Sequence, residues 1–166
     1  APWVVANVAV DRLFDGAAWD NVFYESDSLG YVVATHQSLS TVRGPSVLTW
    51  YKPLTGDPLV ERGAMLARDW ASWRDEVLDD LRRAHRDIRS VASNVDVMLW
   101  GHAMIRPVPG FITGETRRRA LEPVGNIRFA HSDMSGLSLF EEAQYRGVKA
   151  AEEILGAMGL RFETSL

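Results

Sequence analysis

An α+β fold is the class this sequence predicts, and three observations predict it. β-Branched and apolar segments punctuated by turn residues fill positions 3–51, which reads as a largely antiparallel meander. An apolar stripe with helical spacing follows at Trp70, Trp73, Val77, Leu81, Ala84 and Ile88. After a further strand at 91–100 and a Pro/Gly-rich stretch, the chain closes with a strand, a loop and a helix that look like an addition to another sheet. With 166 residues, 46% of them hydrophobic and six of them tryptophan, the chain is able to bury roughly 70% of its unfolded surface.

Each element has a local reason. Trp3 to Val10 is apolar and β-branched, hence a largely buried strand, and Gly16 marks the turn after it. Shorter strands are expected at 22–25, 31–36 and 46–51, separated by the turn ending at Gly30 and by a polar loop through Pro45. Asp57 stands as an N-cap and Pro58 at a first helical position, so a short helix follows over about 60–68. The stripe from Trp70 to Ile88 makes one longer helix with Trp70 and Trp73 as core anchors and His85 as a surface residue near its end. Residues 101–123 form a long irregular segment, a length uncommon unless it lines a site. Ile127 to Ala130 is the last strand, and the last helix spans about 139–158.

Composition narrows the function. A net charge of -4 argues against a nucleic-acid binder, and no apolar run approaches the ~20 residues of a membrane span. Solubility is expected, with a cytoplasmic or periplasmic location left open. The absence of cysteine removes disulfides, thiolate metal sites and thiol nucleophiles, and no histidine pair has the spacing of a helical metal site. Arg82, Arg83, Arg86 and Arg89 read as a solvated helix face, whereas Arg117, Arg118 and Arg119 sit in a loop open to an anionic ligand. A Ser-His-Asp hydrolase is discounted, because Ser132, His131 and Asp133 are adjacent in sequence and no nucleophile elbow is present.

The terminal unit carries the chemistry. Ser138-Leu-Phe-Glu141 has the form of a capping box, and capping competes with any role of Glu141 as an amine-binding carboxylate. Phe140, Ala143, Gly147, Ala150, Ala151, Ile154 and Met158 define the buried face of the helix. A helix N-terminus offers free N–H groups and partial positive charge to a nucleotide cofactor, and Asp133 just upstream accepts from sugar hydroxyls. No G-x-G occurs, so the glycine-rich pyrophosphate turn is missing.

The motif order adds to this. Ile127-Arg-Phe-Ala-His-Ser-Asp133, the hydrophobic-Glu-x-Ala step from Phe140 to Ala143, and Gly147-x-x-Ala-Ala151 running on to Ile154-Leu155 resemble the C-terminal signature of flavin-containing amine oxidases. Trp100-Gly-His-Ala-Met104, the following Pro/Gly segment and the start Pro2-Trp3-Val-Val-Ala-Asn7 resemble the spermidine dehydrogenase-like branch. The resemblance implies a substrate-binding domain over 1–123 and, over 124–166, the last strand and helix of a Rossmann-like FAD domain. The N-terminal FAD-binding half would then be missing.

By the same resemblance Asp133, with its neighbours Ser132 and Met134, contacts the FAD ribityl or phosphate region. Backbone N–H groups at Leu139 and Phe140 approach the flavin O2, with Ala143 packing behind, and Trp100 sits beside the isoalloxazine. His102 either faces the flavin or is a loop histidine bonded to backbone. Asn7 stands where many members carry a lysine and cannot act as a base, Ser138-Leu139 replaces a Gly-Tyr pair, and His131 and Glu142 replace glycines. Catalytic candidates are therefore Trp100, His102 and Asn7. The implied cofactor is non-covalent FAD, the substrate a small amine, the reaction hydride removal from the carbon beside nitrogen. The chain alone is expected to be inactive and to self-associate through apolar surface. Two alternatives stand beside this: a stand-alone binding or scaffold domain, and one subunit of a split flavoenzyme.

Overall fold

The computed structural model describes residues 1–37 and 44–166. The polar loop leading to Pro45 falls mostly outside them, and of His36 only the backbone is described. The fold is α+β, in two compact units, Ala1–Ala103 and Met104–Leu166. The Pro/Gly-rich stretch from Met104 onward thus belongs with the terminal helix and not with the sheet.

The first unit is a five-stranded sheet of β1 (Trp3–Val10), β2 (Asp20–Val22), β3 (Gly30–Val33), β4 (Ser46–Pro53) and β5 (Ala92–Trp100). Their spatial order is β2-β3-β4-β1-β5, with every neighbouring pair antiparallel. β1 is central, and its side chains alternate strictly: Val4, Ala6, Val8 and Val10 are buried while Trp3, Val5, Asn7 and Ala9 are only partly covered. The hairpin between β2 and β3 needs Gly30, which has φ of 109° and whose missing Cβ would collide with the Asn21 carbonyl. β2 lies slightly earlier than the sequence pattern places it, and β3 stops at Val33, where Ala34–Gln37 curl into a 3-10 turn.

Three helices, α1 (Pro58–Ala67), α2 (Trp70–Leu81) and α3 (Ile88–Val91), complete the unit. Asp57 caps α1 as the sequence predicts, accepting from the N–H groups of Leu59 and Val60 at 3.0 and 3.1 Å. Met65 of α1, Trp73, Val77, Leu78 and Leu81 of α2 and Ile88 of α3 join Val4, Val8, Leu48 and Trp50 in a single core. The expected long helix is broken after Leu81, where Arg83 and Ala84 donate three residues back, to Asp80 and Leu81, and the chain turns. Ile88 still reaches the core, from α3, but Ala84 is exposed.

His85 is a departure from the sequence reading. Its ring stacks on Phe14 at 3.9 Å between centroids, and its Nε2 lies 2.6 Å from the Tyr31 hydroxyl. Burial pushes the Tyr31 hydroxyl up to about 12, so it stays protonated, and burial pushes the imidazole down against the weaker opposing pull of Asp87. The unfolded chain therefore takes up the His85 proton first, and stability falls as pH drops below the ordinary histidine value of 6.5, levelling off once the folded imidazole is also charged. Urea-unfolding midpoints between pH 7.5 and 5 should show this decline and lose it in His85→Gln; parallel profiles for the two proteins would refute the assignment.

The second unit contains α4 (Glu115–Ala120), a 3-10 turn at Ser132–Ser135 and α5 (Phe140–Ala157). Arg117, Arg118 and Arg119 are helical, on α4, and not in a loop. The strand expected at Ile127–Ala130 does not form. Val124 and Ile127 exchange N–H···O bonds of 3.1 and 3.0 Å across a tight turn, and among the described residues of this unit there is no strand for a further one to pair with. Among the described residues the buried apolar side chains all lie between Pro2 and Val95, and α5 has none. Among the described residues no helix is long and apolar enough to cross a membrane.

Candidate functional site

The period-two pattern of β1 divides the sheet into a core face and an open one, because directly paired residues share a face. On the open face one row runs Asp20, Val32, Thr49, Asn7, Asp96 across all five strands. The next row carries Tyr51, Val5 and Met98, and the one beyond carries Pro53, Trp3 and Trp100. The buried residues of the three helices all belong to the core on the opposite face.

This arrangement places Asn7 and Trp100 on the same face, about 13 Å apart along the strand direction at roughly 3.3 Å per residue. Asn7 is fixed by Thr49, whose hydroxyl donates to Oδ1 at 2.8 Å, leaving the amide N–H groups to point elsewhere. Trp3 and Tyr51 stack with centroids 6.3 Å apart and planes 14° from parallel, making an aromatic shelf continued by Trp100, which is 52% exposed. The Tyr51 hydroxyl is pushed above 10.0 by burial and by the Asp20 carboxylate, to which it donates at 3.4 Å. Asp96 is exposed and held by the Asn94 amide at 3.0 Å. Sequence reasoning singled out neither Asp96 nor Tyr51; the alternation that fixes Asn7 would have placed both.

His102 is taken away from this face. Arg62 of α1 donates to its Nε2 at 2.8 Å, since a guanidinium has no lone pair to accept with. The Arg62 side chain passes close over Gly101, where a Cβ would meet its Nε at 2.9 Å.

In the second unit Ser132, Asp133 and Met134 form the 3-10 turn, capped by His131, whose Nδ1 accepts from the Asp133 N–H at 3.0 Å. A nitrogen that accepts that bond has no proton to give to the carboxylate, and Asp133 Oδ1 is buried without a hydrogen-bond partner. The capping box is not formed: Ser138 Oγ accepts from the Ile105 N–H at 3.1 Å, and α5 begins one residue later with Leu139 as an N-cap lacking any side-chain bond. Leu139 N–H is itself used, donating to the Leu137 carbonyl at 3.0 Å, so of the two expected donors only Phe140 remains open. Leu139, Phe140 and Ala143 are all exposed.

A cleft of about 590 Å³ in the first unit has a different character. At its wall Asp80, 12% exposed, accepts from Ser26 at 2.7 Å, Ser28 at 2.5 Å and the Trp50 indole at 2.8 Å. Nearby Lys52 pairs with Glu76 at 2.8 Å. These groups satisfy one another and stitch the 24–28 turn to α2, which is a structural task. Among the described residues no group of three or more histidines or carboxylates is placed to hold a metal ion.

No protein-family model matches the chain, and no curated protein matches it.

Proposed function

We propose that this chain is the substrate-binding and C-terminal portion of an FAD-dependent oxidoreductase acting on amines. The observation that carries the reading is the open sheet face, where an aromatic shelf adjoins a row ending in two carboxylates. A protonated amine suits that combination, its ammonium drawn to Asp96 or Asp20 and its carbon chain lying on Trp3, Tyr51 and Trp100. Asn7 between them is a positioning group, because a neutral amide neither takes up nor releases a proton.

For the cofactor, Asp133 fits: its partnerless Oδ1 calls for a hydroxyl donor such as a ribityl chain supplies. The Phe140 N–H, unpaired at the start of α5, suits an anionic oxygen, whereas Leu139 N–H does not, being already bonded. Bound FAD would supply the hydride acceptor for the carbon next to nitrogen. The protein's part is to hold the amine on the shelf and orient that carbon.

The test is to express the chain together with whatever coding sequence precedes it and to record the visible flavin spectrum. Bound flavin should be bleached anaerobically by an amine, and Asn7→Ala or Trp100→Ala should slow bleaching about tenfold while flavin is retained. An upstream region without a dinucleotide-binding turn, or a protein that never holds flavin, would sink the reading. A non-catalytic binding module is the second reading, favoured by the capture of His102 by Arg62; flavin retained but not bleached by any amine would select it.

A further inference from the structure

We infer that the second unit carries a binding site for a dianionic phosphoryl group, held by Arg128, Arg146 and Lys149. The three side chains line one small cavity together with Glu153, with Leu121 and Phe129 as its apolar rim. Arg146 and Lys149 project from successive turns of α5, and like charges at that spacing repel. Arg128 reaches the cavity from the turn before the helix and lies 3.4 Å from Glu153. Three cations thus face a single carboxylate.

Their partners show that the cations are incompletely neutralised. Arg146 Nε donates to Ser135 Oγ at 2.7 Å, a neutral group that orients the guanidinium without cancelling its charge. Tyr145 lies beside both Arg146 and Lys149, at 5.2 and 6.0 Å from its ring centroid, and is likewise uncharged. Among the described residues no carboxylate pairs with either cation. Arg128 Nε is buried without a true hydrogen bond, its contact with Glu153 being an ion pair of poor geometry. The unbalanced charge is two positive, which a phosphate monoester, about -1.5 to -2 at neutral pH, would match.

Size and surroundings narrow the ligand further. The cavity holds about 90 Å³, room for about three waters at ~30 Å³ each, enough for one phosphoryl group and too little for a nucleotide. Guanidinium groups recognise phosphate by paired N–H donors, and two are present. Leu121 and Phe129, 37% and 48% exposed, offer apolar surface to the organic part of an ester. The site is independent of the flavin reading, since none of its residues serves that proposal.

Calorimetric titration of the whole chain at constant ionic strength tests this with three probes: inorganic phosphate, phenyl phosphate and dimethyl phosphate. Saturable binding of the first two is expected, with phenyl phosphate severalfold tighter and the singly charged dimethyl phosphate at least tenfold weaker than inorganic phosphate. Arg146→Gln combined with Lys149→Gln should weaken phosphate at least tenfold. Glu153→Gln, which removes the one competing carboxylate, should tighten it severalfold, a gain that misfolding could not produce. Equal binding of inorganic and phenyl phosphate would overturn the ester and leave free phosphate as the occupant. Absence of saturable binding, dimethyl phosphate binding as well as phosphate, or a weakened Glu153→Gln protein would overturn the site itself.

Discussion

Trp73→Ala is expected to remove about 3–5 kcal/mol of stability, the range for truncating a large buried aromatic ring. The indole is 3% exposed, packs in the core with Met65 and Val77, and donates from Nε1 to the Met65 carbonyl at 3.3 Å, which ties α2 to α1. The Arg68 guanidinium lies 3.6 Å from its ring centroid and is itself bonded to Glu76 and to the Ser72 carbonyl, so the ring has a lid that truncation would leave without a floor. Trp70 is the internal control. It is 52% exposed, with Arg74 at 5.0 Å and one bond from its indole to the Val95 carbonyl, so Trp70→Ala should cost only about 1 kcal/mol. Equilibrium urea unfolding of the two variants decides the matter, and similar losses would contradict this division of labour.

Asp80→Ala should destabilise by about 3–5 kcal/mol, because two serine hydroxyls and an indole N–H lose their acceptor in a half-buried place. Burial alone would push this carboxyl up. The bonds from Ser28, Trp50 and Ser26, with the Arg83 charge, outweigh it and hold the group below 3.8. A carboxylate lowered in the fold contributes stability above its unfolded value and loses it as pH falls through the folded one. The gap between wild type and Asp80→Ala, followed by urea unfolding, should therefore be full at pH 6 and narrow steadily below 3.8. A gap unchanged down to pH 2.5 would mean that the hydrogen bonds do not depend on the charge.

Local signals explain what was legible beforehand. Asp57 and Pro58 announce α1 because cap and first turn are neighbours in sequence, and β1 announces itself because all of its eight consecutive residues but Asn7 are apolar, although its alternation between a core and an open face shows only in the structure. The failures are non-local. Ser138 and Glu141 have capping-box spacing, yet the hydroxyl is claimed by Ile105, far away in the chain. Ile127 to Ala130 has strand composition but no neighbour in its unit, and composition does not supply one. Trp70 and Trp73 occupy equivalent places in a helical stripe, and only the packing of α1 and the sheet separates them. His85 reads as a surface residue until Phe14 and Tyr31 close on it from elements far away in sequence. For the candidate site, Asn7 and Trp100 were legible as individuals, while the row that unites Asn7 with Thr49 and Asp96 depends on register.

If the open face binds substrate as proposed, that register joins two selective pressures at β1. A slip by one residue would carry Asn7, Trp3 and Val5 into the interior and turn Val4, Ala6 and Val8 outward, so the interior of the fold and the chemistry of the open face cannot drift separately. On the proposed reading, substitutions at the buried positions of β1 would be constrained by function although they touch no ligand, and a new specificity would be more freely reached from β4 or β5, through Tyr51, Met98 or Trp100, than from the central strand itself.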